Sequence, residues 1–286
     1  MILDRFNSLS PKLQGAARFV IDHPNDVVLS SMRTLAERAQ AQPATMVRLA
    51  KHLGYGGWPE LKDAIAQDLG LHAQPYGPRA KTLAKRGQDA GLQGEMFRAH
   101  HDNLDVTERQ NVSSLREAAK LLRRAERVHV AGFRASLPIA LSLVYGYRLF
   151  RNSVSLIDGQ GGGLEMQLRC IEHNHVVVIV SFAPYSWETL AAIETAKAVG
   201  AQILAMTDSN ASPLALAADA TILFAVSSPS FFPSTAAGLA VAEALLEVLV
   251  VEAGEDAAER IERAEQQLLD SGAYLRTRRK RITAGS

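Results

Sequence analysis

The 286-residue sequence has a single cysteine, Cys170, and it lacks any long run of apolar residues. A lone cysteine excludes an internal disulfide and a cysteine-rich zinc site, and we expect this thiol to be a small core residue. The longest stretch without a charged side chain, 220–242, contains two prolines and many hydroxyl side chains, so it does not resemble a membrane-spanning helix. The N-terminus lacks the pattern of a secretion signal, which predicts a cytoplasmic protein.

Charged residues are unevenly distributed, although the net charge is only +1 and the overall composition is that of a globular protein. Residues 1–86 contain twelve Lys or Arg and seven Asp or Glu, whereas residues 87–270 contain fourteen and twenty-three. The last sixteen residues add five basic side chains and no acidic one. A basic N-terminal segment before an acidic body is typical of a nucleic-acid-binding domain joined to a regulatory or catalytic domain.

The texture of the sequence changes along the chain. Apolar residues recur at helical spacing up to about residue 71, and short Val/Ile/Leu-rich runs alternate with helical segments beyond residue 126. Residues 74–88 are rich in proline, glycine and basic side chains, which predicts a linker. We therefore predict an all-α domain over 1–73, a linker over 74–88, an α/β domain with flanking helices over 89–275, and a solvated basic tail over 276–286.

The second domain has the pattern of a parallel sheet. Strands are predicted at 128–131, 154–157, 176–180, 202–206 and 221–226. Helices are predicted at 92–107, 112–125, 136–149, 161–171, 186–199, 234–252 and 255–274. Continuous apolar strands that alternate with helices are typical of a sheet buried on both faces, so we predict a doubly wound α/β fold with a five-stranded parallel sheet.

Residues 35–55 predict a helix-turn-helix. A first helix precedes a short polar break at 40–42, and Pro43 opens a second helix that ends at Gly54 in a left-handed conformation. The apolar residues that hold the two helices together are predicted to be Leu35, Ala39, Met46 and Leu49. The alternative is a helical hairpin that only packs.

In a DNA-binding helix-turn-helix, the second helix enters the major groove. The side chains expected to face outward there are Gln42, Ala44, Thr45, Val47, Arg48 and Lys51. Arg48 could bond the O6 and N7 of guanine, Gln42 could bond adenine, and Val47 could contact a thymine methyl group. Phosphate contacts, which fix register without reading sequence, are expected from Lys51, His52 and Lys62.

Candidate ligand contacts follow the first and third predicted strands, where doubly wound folds bind anions. These residues are Gly132, Arg134, Ser136, Ser181, Tyr185, Ser186 and Thr189. Hydroxyl donors and helix N-termini at one sheet edge suit a small phosphorylated or carboxylated ligand, and Ser186 is in addition the expected N-cap of its helix.

Other chemistries lack the residues that they need. A dinucleotide site requires a second glycine at the position of Arg134, although Asp158 could mimic the ribose-binding acid. His173 and His175 lack a third metal ligand at a suitable spacing, and we predict no metal. The sequence contains neither a serine nucleophile elbow nor a phosphate-binding P-loop. No cofactor and no catalytic residue are therefore predicted.

Together these segments resemble the RpiR/MurR family of bacterial transcriptional regulators over nearly the full length. The most specific matches are LA at 35–36, ATMVR at 44–48, LGY at 53–55, TDS at 207–209 and SPLA at 212–215. The resemblance implies a helix-turn-helix domain followed by a sugar isomerase (SIS) domain that senses a sugar phosphate and alters operator binding by a dimer or tetramer. It also implies phosphate-binding roles for Ser136, Ser181 and Ser186.

The sequence departs from the family pattern at three places. In the loop after the third strand, which usually reads Ser-x-Ser-Gly-x-Thr, Ala183 lacks a hydroxyl and Pro184 lacks an N–H. In the loop after the first strand, Arg134 replaces a usual glycine and could bind an anion in compensation. In the predicted DNA-binding turn, Gln40 and Gln42 replace a usual glycine and serine, so the operator sequence does not transfer.

The alternative from another class is a sugar-phosphate isomerase or related SIS-domain enzyme. Such an enzyme needs a general base beside its ligand. Glu165 and Glu188 are near the candidate loops, but their positions are better explained as helix surface. We therefore predict a regulator that is not an enzyme, and expect its effector to shift the spacing of two DNA-binding heads.

Overall fold

A computed structural model of the protein describes residues 2–68, 76–86, 91–161 and 163–274. We call residues 2–68 the head and residues 91–274 the body. The helices of the head are α1 (Ile2–Arg5), α2 (Pro11–Asp22), α3 (Pro24–Leu29), α4 (Met32–Arg38), α5 (Pro43–His52) and α6 (Trp58–Asp68), with a 3₁₀ turn at Phe6–Ser8. The sequence did not predict α1 and α3, which are too short for a periodic apolar pattern.

The predicted helix-turn-helix consists of α4 and α5. The Ser31 hydroxyl accepts the Thr34 N–H at 3.1 Å and caps α4. Gln40 in the turn has φ 50°, and Gly54 after α5 has φ 98°, so both leave the right-handed region as a tight turn and a helix end require. Leu35, Met46, Leu49 and Leu61 are fully buried in the core of the head.

The segment predicted as a linker contains a helix, α7 (Tyr76–Ala84). Two further helices, α8 (Gly91–Gln110) and α9 (Ser114–Arg124), precede the sheet. Gly77 and Pro78 suggested irregular structure, but both lie in the first turn of α7, where a missing backbone N–H costs no intrahelical hydrogen bond.

The body is the predicted doubly wound α/β domain. Its strands are β1 (Val128–Gly132), β2 (Val154–Ile157), β3 (Val176–Val180), β4 (Gln202–Thr207) and β5 (Ala220–Leu223), all parallel in the order β2-β1-β3-β4-β5. The remaining helices are α10 (Leu137–Arg148), α11 (Leu164–Leu168), α12 (Trp187–Val199), α13 (Pro213–Ala217), α14 (Ala236–Ala253) and α15 (Glu255–Asp270). A 3₁₀ turn at Arg134–Ser136 precedes α10. Helices α9, α10 and α14 cover one face of the sheet, and α11, α12 and α13 cover the other.

Helix α8 covers the sheet edge beyond β5 with polar side chains. Asn111 donates to the Leu223 carbonyl at 2.6 Å and accepts the Leu223 N–H at 3.0 Å, and Asn103 makes the same pair of bonds with Ser227. Thr107 accepts the N–H of the residue between them, Ala225. These bonds satisfy the main-chain groups of an edge and hold the segment after β5 against the body.

Two sequence-based expectations differ from the structure or fall outside it. Cys170 is exposed, so its assignment as a core residue was wrong; it follows α11 at the end of a turn, where its thiol donates to the Met166 carbonyl. The basic tail lies outside the described residues. No helix in the described ranges is both long and apolar enough to cross a membrane.

Candidate functional site

A cavity of about 470 Å³ opens at the carboxyl ends of β1 and β3. These two strands are neighbours at the point where the strand order reverses, which is where open α/β sheets bind ligands. Five of the seven predicted ligand contacts line this cavity: Arg134, Ser136, Ser181, Tyr185 and Ser186. The sequence therefore located most of the polar part of the site.

The hydroxyl groups of the cavity are held by α12. Ser186 caps this helix as predicted, because its Oγ accepts the Thr189 N–H. The Thr189 hydroxyl donates to Ser181 Oγ at 3.3 Å, which leaves the Ser181 proton available to a ligand. Thr189 itself is buried and does not line the cavity, so it holds the two serines and does not form part of the cavity wall.

Gly132 is likewise not a wall of the cavity. A Cβ at this position would lie 2.4 Å from Ala140 Cβ and 3.1 Å from the Ser136 carbonyl oxygen. The glycine therefore permits close packing of α10 on β1, and its contact with a ligand stays a prediction.

Arg134 lies at the mouth of the cavity and has a left-handed backbone, with φ 51°. Its Nη2 donates to Glu188 Oε1 at 2.9 Å. Burial opposes ionisation of Glu188, but hydrogen bonds from its own N–H, from Ser186 and from Arg134 hold its pKa below the ordinary value. The guanidinium has five N–H donors, so it can bind an anion while it remains close to Glu188.

The loop between β3 and α12 is fastened to the Asp208 carboxylate. Tyr185 donates its hydroxyl to Asp208 Oδ1 at 2.7 Å, and the Ala183 N–H reaches Oδ2 at 3.3 Å. Burial, and then the Asp208 carboxylate, raise the pKa of Tyr185, which keeps the phenol a neutral donor. In this loop the Ala183 N–H is therefore already engaged, and Pro184 has no N–H to offer a ligand.

Sequence reasoning missed the aromatic walls of the cavity, which are Tyr76, Phe133, Phe182, Trp187 and Phe232. Three of them are adjacent in sequence to predicted contacts, and that adjacency was the available signal. Tyr76 and Phe232 come from distant parts of the chain, and no spacing rule connects them with the loops after β1 and β3.

The candidate DNA-binding surface is the outer face of α5. Gln42, Ala44, Arg48 and Lys51 are exposed there, whereas Val47 is half-buried against the head. Thr45 is only 8% exposed, so the expectation that its side chain faces outward was wrong. It precedes the core residue Leu49 by one helical turn and therefore faces inward.

Lys62 also differs from its predicted role as a phosphate contact. Its ammonium group donates to the Ser30 carbonyl at 3.2 Å, and burial lowers its pKa despite the nearby Asp63 carboxylate. Lys62 therefore joins α6 to the end of α3 inside the head.

Comparison with known protein families identifies a domain in each half of the chain. The family model of the rpiR-family helix-turn-helix domain matches residues 3–71, and that of the SIS domain matches residues 121–248. An uncharacterised HTH-type transcriptional regulator of Caldanaerobacter subterraneus, TTE0211, is 25% identical over 254 residues, which cover 85% of each chain.

Two solved structures have the same fold. The sugar isomerase domain of an RpiR transcription factor from Sphaerobacter thermophilus superposes with a TM-score of 0.58 at 25% identity, over 63% of this chain and 99% of that one. The Vibrio vulnificus NanR protein, solved in complex with ManNAc-6P, gives a TM-score of 0.59 at 21% identity, over 96% of this chain and all of that one. With an rpiR-type helix-turn-helix before a SIS domain, and relatives named as transcriptional regulators, the chain belongs to the RpiR family of regulators.

Proposed function

We propose that α5 binds operator DNA. We further propose that a small anionic effector, a sugar phosphate or related carbohydrate derivative, binds in the cavity and changes the affinity of the protein for this DNA. The observation that carries the proposal is the set of hydroxyl donors at the sheet edge, Ser136, Ser181 and Ser186, with Arg134 at the mouth. Hydroxyls and a guanidinium together suit a phosphate or carboxylate group. The ManNAc-6P complex of NanR, a protein of similar fold, supports this effector class.

The aromatic walls of the cavity suit the sugar ring of such a ligand. A sugar ring presents C–H groups on its faces, and aromatic rings such as Phe133 and Trp187 offer flat apolar surfaces to them. We propose that the anionic group binds near the serines and that the ring packs against the aromatic side chains.

We further propose that the regulator acts as a homo-oligomer, a dimer or tetramer, on double-stranded operator DNA. Two heads read two half-sites, and the spacing of the heads must match that of the half-sites. An effector that binds one arrangement more tightly shifts the population towards it. On each head, Arg48 is the proposed base reader, with Gln42 and Val47 beside it, and Lys51 contacts phosphate.

The test of DNA recognition begins with selection of genomic fragments by the full chain. Arg48→Ala should cost about 1–3 kcal/mol of operator affinity and relax one base position. Lys51→Ala, the control on the same helix, should weaken binding evenly across sequences. If Arg48→Ala retains the wild-type sequence preference, Arg48 does not read a base.

The effector test uses the selected fragments. Operator affinity is titrated against a panel of hexose and pentose phosphates that includes N-acetylmannosamine 6-phosphate. We expect at least one compound to change the affinity fivefold or more, because allosteric coupling between sites is commonly 5- to 150-fold. If the whole panel leaves the affinity unchanged, the effector part of the proposal is wrong.

A further inference from the structure

We infer that α7 transmits the state of the cavity to the head, with Tyr76 as its contact to the ligand and Arg79 as the positioning residue that seats it. This inference rests on the proposed function and adds residues outside the matched helix-turn-helix and SIS segments. Its basis is a juxtaposition: the helix that follows the head in the chain is also a wall of the cavity.

Tyr76 is the first residue of α7 and lines the cavity together with Phe232. The centroids of these two rings are 5.2 Å apart, at an interplanar angle of 47°. Tyr76 is 36% exposed, so the core does not immobilise its ring. A ligand that fills the space between the walls must contact this ring or displace it.

Farther along α7, Arg79 contacts a segment at Ser227 and Ser228 that is hydrogen-bonded to the body. Arg79 Nη2 donates to the Ser228 carbonyl at 2.7 Å. The preceding residue, Ser227, is bonded through both its N–H and its carbonyl to the buried Asn103 of α8. The segment that α7 contacts is therefore fixed to the body, so any displacement of α7 is a movement relative to the body.

The other end of the connection is the head. Asp68 ends α6 and Tyr76 begins α7, so eight peptide units join them and span at most about 28 Å. The position of Tyr76 thus limits where each head can lie. A ligand with different affinities for seated and displaced α7 must change the distribution of head positions, and DNA must change ligand affinity by the same factor.

The first experiment needs no ligand. Arg79→Ala removes the bond from α7 to the Ser228 carbonyl and keeps the Arg86–Glu95 ion pair beyond its end, whereas Lys81→Ala removes an equal charge from an exposed position on the same helix. Affinities of both full-length variants are measured for genomic fragments selected by the wild type, at one salt concentration. We expect them to differ by threefold or more. Equal affinities would overturn the inference while leaving DNA recognition intact, whereas failure of the wild type to select any fragment would contradict the proposed function and the inference together.

The second experiment uses N-acetylmannosamine 6-phosphate and inorganic phosphate as probes. Trp187 lines the cavity and is 60% exposed, whereas the second tryptophan, Trp58, is buried in the head. Emission of a Trp58→Phe background therefore reports occupancy of the cavity through Trp187. We expect Arg79→Ala to bind a probe within threefold of the wild type but to lose most of the probe's effect on DNA affinity. Tyr76→Ala should lose both, and Tyr76→Phe should restore both. A full DNA response in Arg79→Ala would overturn the inference.

Discussion

Arg134 combines an unfavourable backbone with a useful side chain. A non-glycine residue at φ 51° costs of order 1 kcal/mol, and the family pattern has a glycine at this position. The structure places the resulting guanidinium at the mouth of the cavity, next to Glu188. Stability is therefore reduced at a position where an anion can be bound.

Two substitutions separate these effects. Arg134→Gly should raise the free energy of unfolding by about 1 kcal/mol, and Arg134→Ala should not, because alanine retains the backbone penalty. Both substitutions should weaken binding of an anionic effector about tenfold or more, because each removes a charge-assisted hydrogen bond. Urea unfolding and Trp187 emission measure the two quantities. Equal stabilities of the two variants would contradict the strain argument.

His129 and His175 form a buried pair at the opposite end of the sheet. His175 Nδ1 accepts the Glu172 N–H at 3.0 Å, so His129 Nε2, also at 3.0 Å, must donate to it. Ser155 Oγ lies 2.7 Å from His129 Nδ1, so both nitrogens of the His129 ring have hydrogen-bond partners. No group of three metal-binding side chains occurs in the part of the chain that the structure describes.

The pKa of His129 is lowered to about 4, mainly because the imidazole is buried and in addition because His175 and Arg127 are close to it. The unfolded chain binds this proton near the ordinary pKa of about 6.5, so stability is present above pH 6.5 and is lost as the pH falls towards 4. Between pH 7 and 5 the loss amounts to about 2 kcal/mol.

Unfolding free energies at these two pH values test this assignment. His129→Asn should reduce the pH dependence by that amount, whereas His101→Asn, at an exposed site on α8, should leave it unchanged. An identical pH dependence in His129→Asn and the wild type would show that the pair titrates normally.

At the scale of elements, the contact between β1 and α10 depends on Gly132. Because an added Cβ would meet Ala140 at 2.4 Å, Gly132→Ala should lower the free energy of unfolding by about 1–3 kcal/mol. Gly15, inside α2, has nothing within 4 Å of such a Cβ, so Gly15→Ala should raise it by about 0.5–1 kcal/mol. Thermal or urea unfolding measures both, and a tolerated Gly132→Ala would contradict the packing role.

The sequence predicted the elements whose pattern is local. Pro43 and Gly54 delimit α5, and the Val-rich run 176–180 could only be a buried strand. Helix α7 was missed because Gly77 and Pro78 are breakers within a helix but are tolerated in its first turn. Thr45 was misassigned because helical spacing alone does not fix how wide the buried face is. The aromatic wall from Tyr76 and Phe232 depends on long-range packing, which no local pattern encodes.

At the scale of the molecule, the body carries 14 Lys or Arg and 22 Asp or Glu, whereas the head carries eight and seven. DNA phosphates repel the acidic body, which favours an orientation with the head towards DNA. Because DNA binding releases counterions, log K should fall linearly with log[salt], by about 0.9 for each phosphate contacted. Lys51→Ala should reduce this slope by about 1 for each copy of the head that engages the DNA. Lys120→Ala, on the exposed surface of the body, should leave it unaltered. A slope unaffected by Lys51→Ala would remove α5 from the interface.

Cys170 has a practical consequence at the same scale. As the sole thiol of the sequence, and exposed on the body, it accepts one maleimide fluorophore without any engineering. A second fluorophore on the head, introduced through Lys12→Cys at an exposed position of α2, completes a donor–acceptor pair. Energy transfer between the two dyes then tests directly whether the distance from the head to the body changes when a ligand fills the cavity.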